Sequence, residues 1–302
     1  MSEKIYTDVA RRHDFVMLFD VTDGNPNGDP DAGNLPRVDP ETMHGLVTDV
    51  CLKRKVRDYV DALRGRDGNY KIYVQHRGIL ANEQKRAYEA VKAEAGDTAN
   101  EEARAWMCRN FFDVRMFGAV MTTGKTKDSG KKWNCGQVRG PMQLTFARSI
   151  DPIIPLDVSI TRVALTNAGD TGVGSEDDEK AGSGQMGRKA LLPYGLYKAH
   201  GFFTPHFAKD TGVSSEDLET FWGALINMWD IDHSASRGMM AVRGLYVYSH
   251  DNALGNAPAH TLFDSITVER KEGVTAPRKF KDYTVSIGSD IPQGVILTRL
   301  VG

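Results

Sequence analysis

Two basic side chains in one stretch of the chain have the spacing needed to hold an anionic polymer. The stretch Asp39–Leu63 predicts a helix, because its Asp-Pro start suits an N-cap followed by a first helical turn. Lys53 and Arg57 are four residues apart, so they would leave the same face of that helix, with Arg54 close by. Cations in this arrangement can contact successive phosphates. The alternative is that the KRKVR run is a solvated cationic face.

Other basic residues recur beside glycine-rich segments, where a backbone without side chains can approach phosphates closely. Acidic residues concentrate elsewhere, in the Asp20–Asp31 loop and in Glu176–Glu179. Such segregation allows a nearly neutral protein to hold a polyanion along one surface. The basic candidates are Arg37, Lys53, Arg54, Arg57, Arg115, Lys131, Lys132, Arg139, Arg188 and Lys189.

Two motifs suggest a bound nucleotide or ion, and neither is complete. Ala119–Thr126 fits a relaxed phosphate-loop pattern, which requires a preceding strand and a helix beginning at Lys125. The residues that follow are a poor helix start, so we do not expect nucleotide hydrolysis. The loop Asp23–Asn34 matches only the first half of a calcium loop, since Asn34 stands where a bidentate Glu is needed and no helix precedes it. We expect no metal and no cofactor.

Acid–base catalysis has little support in the sequence. The eight histidines are scattered, and none has an HxxxH or HxH spacing. Asp230, Asp232 and His233 are close in sequence and could form a site, although a helix cap and a turn explain them more simply. Metal-independent RNA cleavage by histidine stays open as an alternative.

Composition is that of an ordinary folded protein with one elaborated domain or two. The chain has 302 residues, 40% of them hydrophobic, and a formal charge of −2. Any nucleic-acid binding must therefore come from locally concentrated basic residues. The three cysteines form no CxxC pair, which favours a reducing compartment and no zinc site. Without a signal-peptide pattern or an apolar run of 18 residues, we expect a cytoplasmic protein.

The predicted elements alternate between strands and helices, with two insertions. A buried strand at Asp14–Thr22 precedes the helix, and amphipathic Glu216–Asp230 predicts a second helix whose aromatic residues belong to the core. Asn167–Gly187 is too rich in Gly and Asp to pack, and predicts a long protrusion. Without the insertions the order fits a βαββαβ ferredoxin-like sheet. The other predicted elements are a strand at Tyr70–Gln75, helices at Asn82–Ala95 and from Thr98, and strands near Pro141–Phe146, Leu156–Thr166, Phe203–Ala208, Val242–His250, Leu262–Arg270 and Asp282–Ile287.

Five segments resemble one known family in the same order along nearly the whole chain. They are DVTDGNPNGDPDAGNLPRVDPETMHGLVTDVCLKRKVR, DVRMFGAV, GQVRGPMQ, MGRKALLPYGLYKAHGF and HSASRGMMAVRGLYVY. They resemble the backbone subunit, the major RNA-binding subunit, of the type I-C CRISPR Cascade complex in the RAMP superfamily. The resemblance implies an α+β fold: a single RRM-like palm over residues 1–302, a helical fingers lobe at 82–112 and a β-hairpin thumb at 160–192.

The same resemblance implies a function without catalysis. Copies would polymerise as a filament along the CRISPR RNA spacer and present its bases for pairing with target DNA. The partners would be that RNA, target DNA through the guide, other copies of the chain, and the RNA-processing, large and small subunits of Cascade, with no membrane. The alternative within the superfamily is a metal-independent RNA endonuclease that processes CRISPR precursor RNA.

Residue roles carry over only where the motifs match. Lys53 and Arg57 would face RNA phosphates from the palm helix, with Arg37, Gln137 and Arg139 near the same groove. In the thumb, Met186 would be a wedge between bases, and Arg188 and Lys189 would hold the RNA backbone at the thumb's base. The acidic run Glu176–Glu179 departs from what an RNA-contacting tip requires.

Overall fold

The computed structural model describes residues 4–94, 99–122, 124–125, 132–162 and 185–302. The helices in these ranges are α1 (Asp49–Arg64), α2 (Leu80–Ala90), α3 (Asn100–Asn110), α4 (Phe112–Phe117), α5 (Pro205–Thr211), α6 (Ser215–Asn227) and α7 (Ala259–Asp264). The strands are β1 (His13–Gly24), β2 (Gly28–Asp29), β3 (Leu35–Pro36), β4 (His44–Val47), β5 (Gly118–Val120), β6 (Gly124–Lys125), β7 (Lys132–Trp133), β8 (Gln137–Arg139), β9 (Met142–Leu144), β10 (Ala147–Pro152), β11 (Leu156–Arg162), β12 (Gln185–Phe203), β13 (Met239–His250), β14 (Ile266–Arg270), β15 (Tyr283–Ile287) and β16 (Val295–Val301). None of the described helices is long and apolar enough to cross a membrane.

A large antiparallel sheet forms the centre of the fold. Its strand order is β16-β13-β1-β12-β10-β4, and β9 and β11 also pair with β12. β1 is buried along nearly its whole length, from His13 to Val21, which is typical of a strand covered on both faces of its sheet. The predicted strand at Asp14–Thr22 is thus confirmed.

Alternate residues of β1 divide the core into two layers. Phe15 and Phe19 point to one face, where α1 and α6 cover the sheet, and Trp222 of α6 packs edge-on against Phe15. Val16 and Leu18 point to the other face, where α7, β14 and β15 cover it. The predicted core helix is confirmed as α6, whose N-cap Ser214 forms a capping box with Asp217.

The first helix begins later than the sequence predicts. Residues His44–Val47 form strand β4, and α1 begins after Thr48, whose Oγ1 accepts a hydrogen bond from Cys51 N at 3.2 Å. This segment is a strand because Leu46 and Val47 pair with β10. Gly45 permits the close approach, since a Cβ there would lie 2.4 Å from the Tyr197 hydroxyl. Close approach to the sheet overrides the Asp-Pro helix signal. The basic run itself remains helical.

Three further predictions are wrong at the level of the element. Leu262–Arg270 is not one strand, because α7 ends at Asp264 and β14 begins only at Ile266. Tyr70–Gln75 is not a strand. Among the described residues it forms one isolated bridge, between Lys71 and Phe111. The Asp113 carboxylate accepts the backbone N–H groups of residues 73 and 74. Phe203–Ala208 is split, because β12 ends at Phe203 and α5 begins at Pro205. Proline suits the first turn of a helix and cannot donate within a sheet.

Two insertions extend from the main sheet. Helices α2 and α3 have a hydrophobic cluster of their own, which includes Tyr88 and Met107, so the predicted helical pair is confirmed. The predicted helix start at Thr98 lies outside the described residues, and α3 begins at Asn100. β11 and the first part of β12 form an antiparallel hairpin, paired from Leu156–Leu191 to Arg162–Gln185. Most of the predicted protrusion, with its acidic run, lies outside the described residues.

Candidate nucleic-acid interface

The two cations that the sequence singles out on α1 are both ion-paired within the chain. Lys53 Nζ lies 3.0 Å from Asp49 Oδ2 and 3.1 Å from Gln143 Oε1. Arg57 Nε donates to Asp113 Oδ2 at 2.8 Å. Their side chains are 13% and 12% exposed, so each presents only an edge to solvent. A lysine ammonium has three donors and a guanidinium five, which leaves donors for an additional anion.

An aromatic ring and a glutamine held beside a glycine keep these cations in place. Phe117 lies beneath both, with its centroid 5.8 Å from Lys53 Nζ and 5.3 Å from Arg57 Cζ. Gln143 Nε2 donates to the carbonyls of Phe117 and Gly140, which fixes the amide that Lys53 contacts. A Cβ at Gly140 would lie 2.1 Å from the Phe117 carbonyl carbon, so only glycine permits this crossing.

Strand β8 places two predicted residues beside that cluster. Gln137 and Arg139 are both exposed, and β8 pairs with β5 directly after Phe117. The Arg139 guanidinium stacks on Phe207, 4.2 Å from the ring centroid. Both residues line a groove of about 440 Å³ that also contains Arg104. We call Lys53, Arg57, Gln137 and Arg139 the basic surface.

Arg115 is not available to a ligand and leaves the candidate set. Its side chain is 4% exposed, and its guanidinium holds both carboxylate oxygens of Asp217 at 3.0 and 2.7 Å. Burial raises the pKa of Asp217, but hydrogen bonds from Arg115 and its charge outweigh this, and the pKa is lowered overall. The sequence could not distinguish this buried pair from an exposed cation. Arg54 is 58% exposed, with Asp58 at 3.8 Å.

The loop between β1 and α1 folds back over the helix N-terminus. Asn27 Oδ1 accepts hydrogen bonds at 3.0 Å from both the backbone N–H and the hydroxyl of Thr48. Arg37 lies at the end of this loop, half-buried, with Nη1 3.4 Å from Asp29 Oδ1. The Asn25 amide donates to the Asn34 carbonyl at 2.7 Å. The side chains of Asn27 and Asn25 thus tie the loop to Thr48 and Asn34.

The remaining predicted residues lie away from the basic surface or outside the residues that the structure describes. Arg188 is 81% exposed on the hairpin, 3.2 Å from Asp157, and Lys189 is half-exposed opposite Val158. Met186 has its backbone paired with Thr161, and its side chain lies outside the described residues. Lys132 is exposed in β7, and Lys131 lies outside the described residues.

The competing motifs take other structures. Lys125 lies in β6 and not at a helix start, so the phosphate-loop requirement is not met. His13 is fully buried, and burial lowers its pKa to about 4. Among the described residues no group of three His, Cys, Asp or Glu could hold a metal ion. Asp232 binds the buried ammonium of Lys55 and the Arg237 guanidinium, so it fastens a loop to α1.

Three residues that support the basic surface were not predicted. Asp113 pairs with Arg57 and also accepts the backbone N–H groups of Tyr73 and Val74 at 2.8 and 3.1 Å. Gln143 and Phe117 position Lys53 from strands and helices distant in sequence. An Asp directly after a Phe-Phe pair carries no local signal of such a role, since its partners come from two segments distant in sequence, one with Arg57 and one with Tyr73 and Val74.

Comparison with known proteins identifies one family over most of the chain. The family model described as CRISPR-associated protein Cas7 matches residues 11–288. The CRISPR-associated protein Cas7 of Haloferax volcanii is 26% identical over 234 residues, which cover 72% of this chain. The chain spans 64% of that relative's length. Two solved structures are similar, both described as CRISPR RNA-guided surveillance complexes, the second as pre-nicking. The first has a TM-score of 0.45 at 14% identity, and the match covers 78% of this chain and 68% of the chain in that structure. The second has a TM-score of 0.47 at 17% identity, and the match covers 78% of this chain and 75% of the chain in that structure.

Proposed function

The chain belongs to the family of CRISPR-associated protein Cas7, and we propose that it is a guide-RNA-binding backbone subunit of a type I-C Cascade complex. Copies polymerise along the spacer of the CRISPR RNA and present its bases for pairing with target DNA, and the chain itself performs no catalysis. The observation that carries this proposal is the family match over residues 11–288. The partners would be the CRISPR RNA, further copies of the chain and the other Cascade subunits.

The basic surface supports sequence-independent RNA binding. Its donors are guanidinium, ammonium and amide groups, all of which can contact phosphates and 2′-hydroxyls. A guide spacer varies in sequence, so its scaffold must bind the backbone and leave the base edges free. The carboxylates of Asp49 and Asp113 hold Lys53 and Arg57 in position before RNA arrives.

The observed topology fits the palm, fingers and thumb that this function requires. When the elements between them are left out, the chain runs as strand, helix, strand, strand, helix, strand through β1, α1, β10, β12, α6 and β13. In the sheet, the four strands lie in the order β13-β1-β12-β10. This order supports our assignment of these elements to a βαββαβ, RRM-like palm. We assign α2 and α3 to the fingers and the β11–β12 hairpin to the thumb. Met186 would then be the wedge, with Arg188 and Lys189 at the thumb's base.

One observation favours a second candidate, a metal-independent RNA endonuclease. His76 is exposed and lines a groove of about 190 Å³ together with Arg57, and His206 is exposed beside Phe207, on which Arg139 stacks. Histidines beside a basic surface can act as general acid and base in RNA cleavage. This candidate would be favoured if the purified chain cleaved repeat RNA in the presence of a metal chelator and the double variant His76→Ala/His206→Ala did not.

The proposed function is tested by co-expressing the chain with a CRISPR array and its companion subunits. We expect the chain to purify with RNA of one discrete length. The variant Gln137→Ala/Arg139→Ala should carry less RNA, because both side chains are exposed donors of the basic surface. Arg66→Ala, an exposed cation outside that surface, is the control. RNA-free chain from cells whose companion subunits do carry guide RNA would contradict the proposal.

A further inference from the structure

The loop between β14 and β15 is a second concentration of positive charge, distinct from the basic surface. Between Arg270 and Asp282 it has five basic and two acidic residues, a net charge of +3 in a chain whose net charge is −2. The basic residues are Arg270, Lys271, Arg278, Lys279 and Lys281. We call these five residues the C-terminal basic loop.

Four of the five cations of this loop differ from those of α1 in having no carboxylate partner, and the fifth, Arg270, has Asp151 Oδ1 4.0 Å from its Nη1. Each of the four cations in the KRKVR run of α1 lies within 4.0 Å of a carboxylate oxygen. No carboxylate among the described residues comes within that distance of Lys271, Arg278, Lys279 or Lys281, and all four side chains are exposed. An incoming anion would not have to displace an internal ion pair here.

The loop holds these cations on an ordered scaffold. The Asp282 carboxylate accepts hydrogen bonds from the backbone N–H groups of Arg278 and Lys279 at 2.8 and 3.2 Å. Phe280 packs with Tyr194 and Leu196 on the sheet. Arg270 Nη1 donates to the Thr275 carbonyl at 3.1 Å, which closes the loop upon itself. Cations fixed in this way lose less conformational freedom when they bind an anion.

The loop lies on the opposite face of the sheet from α1. β14 and β15 cover the face to which Val16 and Leu18 point, and α1 covers the face of Phe15 and Phe19. Residues 275–278 also line a groove of about 500 Å³ with Leu156 and Pro193, at the base of the β11–β12 hairpin. A strand passing the hairpin would reach this loop without crossing the basic surface.

We propose that the C-terminal basic loop binds the phosphodiester backbone of a nucleic-acid strand. Four unpaired cations on an anchored loop neutralise phosphates without reading sequence. Two strands could supply this chemistry: the guide RNA itself, on a path that leaves the hairpin, or a second strand bound while the guide occupies the basic surface. The inference rests on the proposed RNA-loaded complex. Failure of that proposal would appear as RNA-free chain, whereas failure of this one would appear as equal behaviour of the two variants within the loaded complex.

The test compares Lys279→Ala/Lys281→Ala with Arg66→Ala/Arg109→Ala in the RNA-loaded complex. All four residues are exposed and lack a carboxylate within 4.0 Å among the described residues, so each double variant removes two free cations. The probe is labelled oligodeoxythymidylate with no complement in the guide, titrated at several salt concentrations. For the loop variant we expect weaker binding and a slope of log K against log salt smaller by about 1.4, from about 0.7 per single-strand phosphate.

The results also identify the strand. A loss of oligodeoxythymidylate binding with unchanged guide RNA per chain supports a second strand. A loss of guide RNA supports the guide itself as the ligand. If the loop variant matches the control variant in both measurements, the proposal is overturned. Loss of a protein subunit with both nucleic-acid measurements unchanged would make the loop a protein interface and would also overturn it.

Discussion

At the scale of single residues, what distinguishes the cations of this chain is their partners. Arg57 and Arg115 look alike in sequence, yet Arg57 keeps an exposed edge beside Phe117 whereas Arg115 is buried against Asp217. The helical spacing correctly indicates that Lys53 and Arg57 share a face. It cannot indicate Asp113 or Gln143, which approach from elsewhere in the chain. A substitution at the basic surface can therefore change the stability of the fold as well as RNA binding, depending on the internal partners of the side chain.

We expect Arg57→Ala to destabilise the fold. Asp113 is 1% exposed, and loss of the guanidinium leaves its carboxylate buried with only two backbone N–H donors. The free energy of unfolding in urea should fall by about 3 kcal/mol. Arg54→Ala, which removes one partner of an exposed pair, should change it by less than about 0.5 kcal/mol. Equal values for the two variants would show that the Asp113 pair has no structural role.

Two histidines whose pKa is lowered in the fold make stability depend on pH. Burial lowers the pKa of His13, which is fully buried, to about 4. Partial burial and the nearby Lys198 charge together lower the pKa of the half-buried His200 to about 4. In the unfolded chain these histidines bind a proton near pH 6.5, whereas in the fold they stay neutral down to about pH 4. The free energy of unfolding is therefore unaffected by them above pH 6.5 and decreases as the pH falls from 6.5 to 4. Each histidine contributes a slope of about 1.4 kcal/mol per pH unit in that window. His13→Gln should flatten the urea-unfolding profile between pH 4 and 6.5, and an unchanged profile would contradict the burial argument.

At the scale of elements, sequence patterns predict helices and strands best where the apolar residues follow one unbroken pattern. α6 follows its apolar repeat, and β1 follows its continuous apolar run. The predictions failed where a contact distant in sequence outweighed a local signal. Pairing with β10 makes β4 a strand, with Gly45 close to Tyr197. Asp113 binds the backbone of residues 73 and 74 in place of a neighbouring strand. The C-terminal basic loop escaped notice because a charge run does not show which of its charges are paired.

The β11–β12 hairpin should be dispensable for folding and needed for assembly on RNA. The buried part of β12 begins at Leu192, and Leu156, Val158 and Ile160 are exposed along the hairpin. Val158 and Lys189 oppose each other, so joining them by Asn-Gly closes a short hairpin. We expect this truncation to change the free energy of unfolding by less than about 1 kcal/mol, as is usual away from the core. It should lower the number of copies held per guide RNA. Collapse of the fold, or normal assembly, would contradict this division of roles.

At the scale of the whole molecule, one sheet covered on both faces carries two basic regions on opposite sides. The basic surface lies with α1 on one side, and the C-terminal basic loop lies with β14 and β15 on the other. The sequence predicted the α+β class and the main sheet through its helix and strand order. It could not predict the second layer, since α7, β14 and β15 pack on Val16 and Leu18 from more than two hundred residues away.

The central claim is that copies of this chain line up along a guide RNA, and native mass spectrometry tests it most directly. Complexes would be assembled on guides whose spacers differ in length, and their masses measured. The scaffold function predicts that the number of copies rises by one for each fixed increment of spacer length. A copy number that stays constant across all spacer lengths would contradict it.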